Sequence, residues 1–192
     1  MMDTTVRENT LTATPSLVTG EALADMGDIG RCELVEGKII MLSPTSWQHG
    51  KSERRLGQVM GSFVDEHQLG EVLVGEVGLY TQRNPDTIRG ADVVFISNER
   101  LTQVESANFL DVAPELIVEI MSPNDRWSEV KQKMREYFSI EVILVWVVDP
   151  SDKTVSVYRS LTKVQLLTEG DLLSGEEVLP GFSVPVASLF ID

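Results

Sequence analysis

The sequence predicts a mixed β-sheet flanked by helices, an α/β or α+β arrangement with a β-hairpin near each end. Three observations carry this expectation. Short strand-like runs pair around tight turns at both ends of the chain; two stretches with apolar residues at helical spacing interrupt the strand-like runs; and Val142 to Val148 is continuously apolar, as a strand covered on both faces must be. Hydrophobic residues make up 42% of the 192 and charged residues 24%, sufficient for a packed core. One domain is expected over residues 16–192, behind a Thr-rich, aperiodic and flexible tail at residues 1–15.

In chain order, a short helix is expected from Thr19 through Met26. Cys32 to Met41 then reads as a hairpin, because Glu36-Gly37 offers the positive φ of a tight turn. A helix from Trp47 to Gln68 follows, capped by Thr45 or Ser46 and stopped by Gly70, with Leu56, Val59, Met60, Phe63 and Val64 on its apolar side. Strands are expected at Glu71–Tyr80 and Ala91–Ser97, separated by Asn84-Pro85-Asp86, and again at Glu115–Met121. A second helix is predicted over Asn124–Ser139, capped by Asn124 or Asp125. The central strand Val142–Val148 comes next, then a hairpin of Thr154–Arg159 with Lys163–Leu167, and a closing segment from Leu179 to Phe190.

Charge and composition exclude several classes. Thirty acidic residues against sixteen basic ones give a net charge of −14, and no cluster of five basic residues marks a phosphate grip. Such a chain can still act on a polyanion where a bound metal reverses the field locally. Cys32 is the one cysteine, so neither an internal disulfide nor a multi-cysteine zinc site can form. No apolar run reaches the ~20 residues of a membrane span, and Met1 to Thr14 lacks the apolar core of a signal peptide, so a cytoplasmic location is expected. Ser43, Ser46 and Ser122 lack a nucleophile-elbow context, and glycine-rich phosphate loops are missing.

Two carboxylates look out of place. Glu119 shares a strand face with Ile117 and Met121, where an ionised group needs a partner or a metal unless that face is open to water. Asp92 heads the apolar run Val93 to Ile96 and is either an ordinary strand-entry acid or a second ligand. If the two converge, they suit Mg²⁺ and with it phosphodiester hydrolysis, with a lysine to steady the developing charge. Lys131 and Lys133 fall on opposite flanks of the second helix, and spacing does not choose between them; Glu129 at i−4 offers Lys133 a surface ion pair instead. His67 is expected to be solvated or capping, and His49 stands in the first helical turn after the loop.

Six short pieces, in this order, resemble the Uma2 family of the PD-(D/E)XK nuclease superfamily. They are Glu33-Leu34-Val35-Glu36-Gly37; Ser43-Pro44 with His49; Asp92-Val93-Val94; Val118 to Pro123; Lys133 with Tyr137; and Trp146 to Pro150. The resemblance runs from about Leu23 to the C-terminus. It implies a restriction-endonuclease-like sheet, Mg²⁺ dependence with Mn²⁺ as a possible substitute, hydrolytic cleavage of DNA, and a homodimer. It also implies metal ligation by Asp92, Glu119 and Glu33, the motif lysine role for Lys133, and His49 lining the site. Where the superfamily places its lysine two residues after the glutamate, this chain has Met121. Two other readings stay open: a nuclease fold kept as a non-catalytic interaction module, and a hydrolase of small phosphate compounds.

Overall fold

In the computed structural model, which describes residues 17–123 and 125–190, a short helix α1 (Gly20–Asp25) follows Thr19, whose hydroxyl accepts a hydrogen bond from Ala22 N. The flexible tail expected at residues 1–15 lies outside the described residues. Strands β1 (Cys32–Val35) and β2 (Lys38–Met41) form the expected hairpin, with Glu36 and Gly37 both at positive φ, as the tight turn requires. Helix α2 (Trp47–His67) starts at Ser46, whose Oγ accepts from His49 N at 3.2 Å. It ends two residues before Gly70, at Gln68, which takes the left-handed conformation itself.

The next two strands are longer than the sequence indicated. β3 spans Gly70–Gln82 and β4 spans Thr87–Ser97, so Asp92 sits mid-strand rather than at a strand entrance. Their register slips between Val74 and Val77, where Gly75 and Glu76 both have positive φ. That β-bulge turns the chain locally and re-aims Glu76. A one-turn helix α3 (Asn98–Leu101), not foreseen, precedes β5 (Leu116–Ile120). Helix α4 begins at Trp127, later than expected, and ends at Ser139 as expected. Asp125 does not cap it; its Oδ2 accepts from Ser122 N at 2.7 Å and closes the preceding turn, while Asn124 lies outside the described residues. β6 (Leu144–Asp149), β7 (Thr154–Tyr158) and β8 (Val164–Leu167) follow as predicted. The closing segment pairs β9 (Leu172–Ser174) with β10 (Ser183–Pro185) before a 3₁₀ turn at Val186–Leu189.

Among the described residues these strands form one eight-stranded sheet, ordered β2-β1-β4-β5-β6-β7-β8 with β3 also on β4, and a separate two-stranded one. β5 and β6 run parallel, and α4 is the crossover that such a pair needs. Alternation sorts the β5 side chains to two faces. Leu116, Val118 and Ile120 pack with Leu56, Met60 and Val64 of α2 and with Trp146 and Phe182. Ile117 packs with Val130, Met134 and Tyr137 of α4. The expected mixed sheet between two principal helices is therefore what the chain forms, and the continuous apolar run of β6 is covered on both sides.

Met60 is fully buried under α2. Met60→Ala should lower the unfolding free energy by about 2–5 kcal/mol, read from urea denaturation. Trp47→Ala, on the exposed start of the same helix, should stay within about 0.5 kcal/mol of the parent.

Candidate active site

Register brings the two suspect carboxylates together. Val93 pairs with Val118 across β4 and β5, so the neighbouring positions, Asp92 and Glu119, face one another on the same side of the sheet. Leu34 pairs with Ile88, which places Glu33 of β1 opposite Arg89. Helix α4 then lies over this corner and lowers Lys133 into it. Lys133 Nζ is 3.1 Å from Glu119 Oε2, 3.1 Å from Glu33 Oε1 and 2.8 Å from the carbonyl oxygen of Gly90. The predicted alternative ion pair from Glu129 to Lys133 is replaced by these buried partners. Lys131, by contrast, is exposed, with its ammonium 6.0 Å from the Trp127 ring centre.

Each carboxylate is held from a second direction. Tyr137, one turn beyond Lys133 on the same helix face, donates to Glu119 Oε1 at 2.5 Å. Glu33 accepts from Arg89 Nη1 at 2.9 Å and from Gly90 N at 3.1 Å, and Arg89 also binds Glu136 through two nitrogens at 2.6 and 2.7 Å. Asp92 Oδ2 accepts from Ile120 N at 2.6 Å, leaving Oδ1 to His49 Nε2 at 3.1 Å. The buried His49 ring is fixed on its other side by Ser122 Oγ, 3.2 Å from Nδ1. Glu33, Asp92, Glu119, Lys133 and His49 thus form one connected corner. His67 lies apart from it, exposed, with Nδ1 donating to Phe63 O.

Several participants were not singled out in the sequence. Glu76 arrives through the β-bulge and pairs with Arg31. Gly90 lies beside it, where a Cβ would stand 3.4 Å from that of Glu76. The one signal for it was an isolated glycine, Gly75, inside a strand-like run, which marks a bulge. Arg89 and Glu136 are visible only through cross-strand and helix–sheet packing. Among the described residues, His49, Glu76 and Asp92 form a group whose ligand atoms all lie within 4.8 Å of one another. Glu119 and Glu33, expected as ligands beside Asp92, are paired with Lys133, and Tyr137 and Arg89 hold them from a second side.

The electrostatics carry a surplus of negative charge. Five carboxylates (Glu33, Glu76, Asp92, Glu119 and Glu136) meet three permanent cations (Arg31, Arg89 and Lys133). Burial pushes the Glu119 carboxyl up to about 7, with Asp92 adding to the push and Lys133 and Tyr137 opposing it. Burial opposes protonation of His49, yet the hydrogen bond to Asp92 and its charge raise the imidazole above its ordinary value. Lys133 is likewise held above the ordinary lysine value: burial works against it, and the charges of Glu119, Glu33 and Asp92 outweigh burial. It is an ammonium with its donors directed at protein oxygens, not a base. A proton-hungry cluster of oxygen donors with one imidazole is what a hard divalent cation would satisfy.

Comparison with known proteins bears on this corner. The family model described as Uma2, putative restriction endonuclease, matches residues 20–187. A crystal structure of a putative nuclease belonging to DUF820 from Anabaena variabilis superposes with a TM-score of 0.76 at 19% identity, covering 90% of this chain and 97% of that one. At that identity the likeness speaks for the fold. No curated protein matches the chain. No helix among the described residues is long and apolar enough to cross a membrane.

Burial works to raise the Glu33 carboxyl, but Lys133 and Arg89 overcome it and hold the group below the ordinary value of 4.5. Its contribution to stability is therefore complete above about pH 4.5 and lost as pH falls through the lowered folded value. Glu33→Gln should cost on the order of 3 kcal/mol near neutrality, because it leaves Arg89 and Lys133 under-compensated. The gap from wild type, measured by urea denaturation across pH, should close on the acid side. A gap that persists unchanged into acid would assign the loss to packing.

Proposed function

The chain belongs to the Uma2 family, and we propose that residues 16–192 form one nuclease-like domain that hydrolyses phosphodiester bonds of DNA with Mg²⁺, Mn²⁺ being able to take its place. The single observation that supports this reading most is the pairing of Asp92 and Glu119 on one side of adjacent strands, with Lys133 held against Glu119. Asp92, Glu119 and Glu33 are the ligands this reading uses, with His49 and Glu76 on the flank of Asp92. A cation held there supplies Lewis-acid polarisation of the phosphoryl group and a lowered pKa for an attacking water.

The protein's own groups set the stage. Lys133 and Tyr137 between them engage both oxygens of Glu119, which fixes the carboxylate plane. The amide of Ile120 does the same for one oxygen of Asp92 and leaves the other directed at His49. Lys133, permanently charged, is suited to stabilise negative charge that builds on a phosphoryl oxygen at the mouth of the site. To do so it exchanges one protein acceptor for the substrate. His49, held between Ser122 and Asp92, is oriented to carry a proton at Nε2 or to yield that nitrogen as a ligand.

Asp92→Ala, Glu119→Ala and Lys133→Met should each reduce metal-dependent cleavage of plasmid DNA by at least about a hundredfold. Equal activity in the parent and the two carboxylate variants would overturn the site assignment.

Without metal, the Glu119 carboxyl weakens the fold as pH rises from its unfolded value towards about 7, because only the folded state resists its ionisation. Stabilisation by Mg²⁺ or Mn²⁺ in thermal melts should therefore grow as pH rises through neutrality and weaken on the acid side, where the proton competes. Glu119→Gln should remove most of that dependence. A protein whose melting ignores both cations at every pH would return the domain to the non-catalytic reading.

A further inference from the structure

Beside His49 the surface opens into a cavity of about 670 Å³, within the range that holds small organic ligands. Its walls include Trp47 and Lys51 from the start of α2, Ser122 after β5, and Lys153 from the turn before β7. His49 lines it and meets Asp92 through Nε2, while Ser122, also in the wall, holds the His49 Nδ1, so the cavity adjoins the candidate active site through that imidazole. Trp47 is 74% exposed at this place, although tryptophan is usually among the well-covered side chains.

We propose that this cavity is a subsite for an unpaired nucleobase of single-stranded DNA, with the Trp47 indole as its stacking face. The inference deepens the nuclease reading and rests on it. Two observations select the ligand class. Asp125 and Asp149 also line the recess, with oxygens that accept from Ser122 N and Ser151 N; they repel phosphate from the interior but not an uncharged base. Lys51 and Lys153 also line the recess, and on this proposal their ammonium groups meet the backbone phosphates that flank the base. The Lys153 pair with Glu169, 3.2 Å apart and half-exposed on both sides, is a weak surface contact that a phosphate can replace.

The overall charge points the same way. A chain at −14 has few cations to spread along a duplex backbone, whereas stacking on an aromatic face is tolerant of sequence and needs no phosphate clamp. A base within an intact duplex cannot enter such a recess without being unstacked first.

The test uses the full chain in a Trp127→Phe background, which leaves Trp47 and the fully buried Trp146 as fluorophores. Titration with oligothymidylate, first with chelator and then with Mg²⁺, should quench the Trp47 emission. The single strand should bind more tightly than its duplex with oligoadenylate. Anisotropy of a labelled oligothymidylate should show Trp47→Ala weakening binding about tenfold or more, with Trp47→Phe retaining part of the affinity. Replacing Lys51 and Lys153 by alanine should flatten the slope of log affinity against log salt by about 0.7 for each.

Absence of quenching in both conditions, or equal affinity of Trp47→Ala and its parent, overturns the subsite. Preference for the duplex also overturns it. The two readings fail separately: quenching without metal-dependent cleavage keeps the subsite and removes the nuclease, while cleavage with an indifferent Trp47→Ala does the reverse.

Discussion

The cost of burying negative charge governs this corner of the molecule. Glu33, Asp92 and Glu119 are all more than nine-tenths covered, and an unpaired carboxylate in such surroundings is several kcal/mol too expensive to persist. The Lys133 ammonium between Glu33 and Glu119 is the compensation that makes the arrangement tenable. It reaches them only because α4 crosses the sheet at this corner, and α4 crosses there because β5 and β6 are parallel and need a connection over that face. Sheet topology and local charge balance are thus one constraint seen at two scales. The compensation is incomplete, as the raised Glu119 and His49 show. A site that retains surplus negative charge at such expense is a place where a polar function outweighs fold stability.

Rigid elements supply the geometry. Asp92 and Glu119 project from neighbouring central strands, whose backbone ladder fixes their separation, and Lys133 and Tyr137 project from successive turns of one helix. The groups that close the corner come from element ends and irregularities: His49 from the first turn of α2, Glu76 from a bulge with two consecutive positive φ values, and Ser122 from the turn after β5. The resulting division puts the paired acids on a stiff base. The imidazole and the bulge glutamate flank Asp92, and the exposed indole stands in the adjoining cavity.

Most of the fold was legible because its elements carry their periods on the surface of the sequence. Glu36-Gly37 announces the first hairpin, Leu56, Met60 and Val64 mark the buried side of α2, and the apolar run into Val148 announces a central strand. The ends were less legible. Asp125 satisfies Ser122 N rather than capping α4, a competition between two local hydrogen bonds that sequence does not decide. β4 starts at Thr87, well before its apolar core, because its first half pairs with β3 and meets β1 at Leu34–Ile88. At the site, Glu33, His49, Asp92, Glu119 and Lys133 were named from the resemblance and from misplaced charges. Glu76 and Arg89 were not, since a bulge and a cross-strand neighbour become visible only once the register is known. The choice of Lys133 over Lys131 likewise needed the helix docked, as both sit beside the apolar stripe.

The acidity that first argued against a nucleic-acid role acquires a different meaning with the corner in view. Five acids concentrate near the site, and their field repels a polyanion over about a Debye length. On the proposed reading a bound divalent cation would cancel much of that local surplus, so that affinity for a phosphate chain is coupled to metal loading. Under that coupling an unloaded protein holds DNA less through its acidic corner, and contacts that do not depend on charge gain weight. The exposed indole of Trp47, in the cavity beside His49, is such a contact on the proposed reading. The surplus of carboxylates and the uncovered Trp47, each unfavourable when considered alone, are mutually consistent under the proposed reading, in which a base is recognised by its face and the phosphate at the acids through a metal ion.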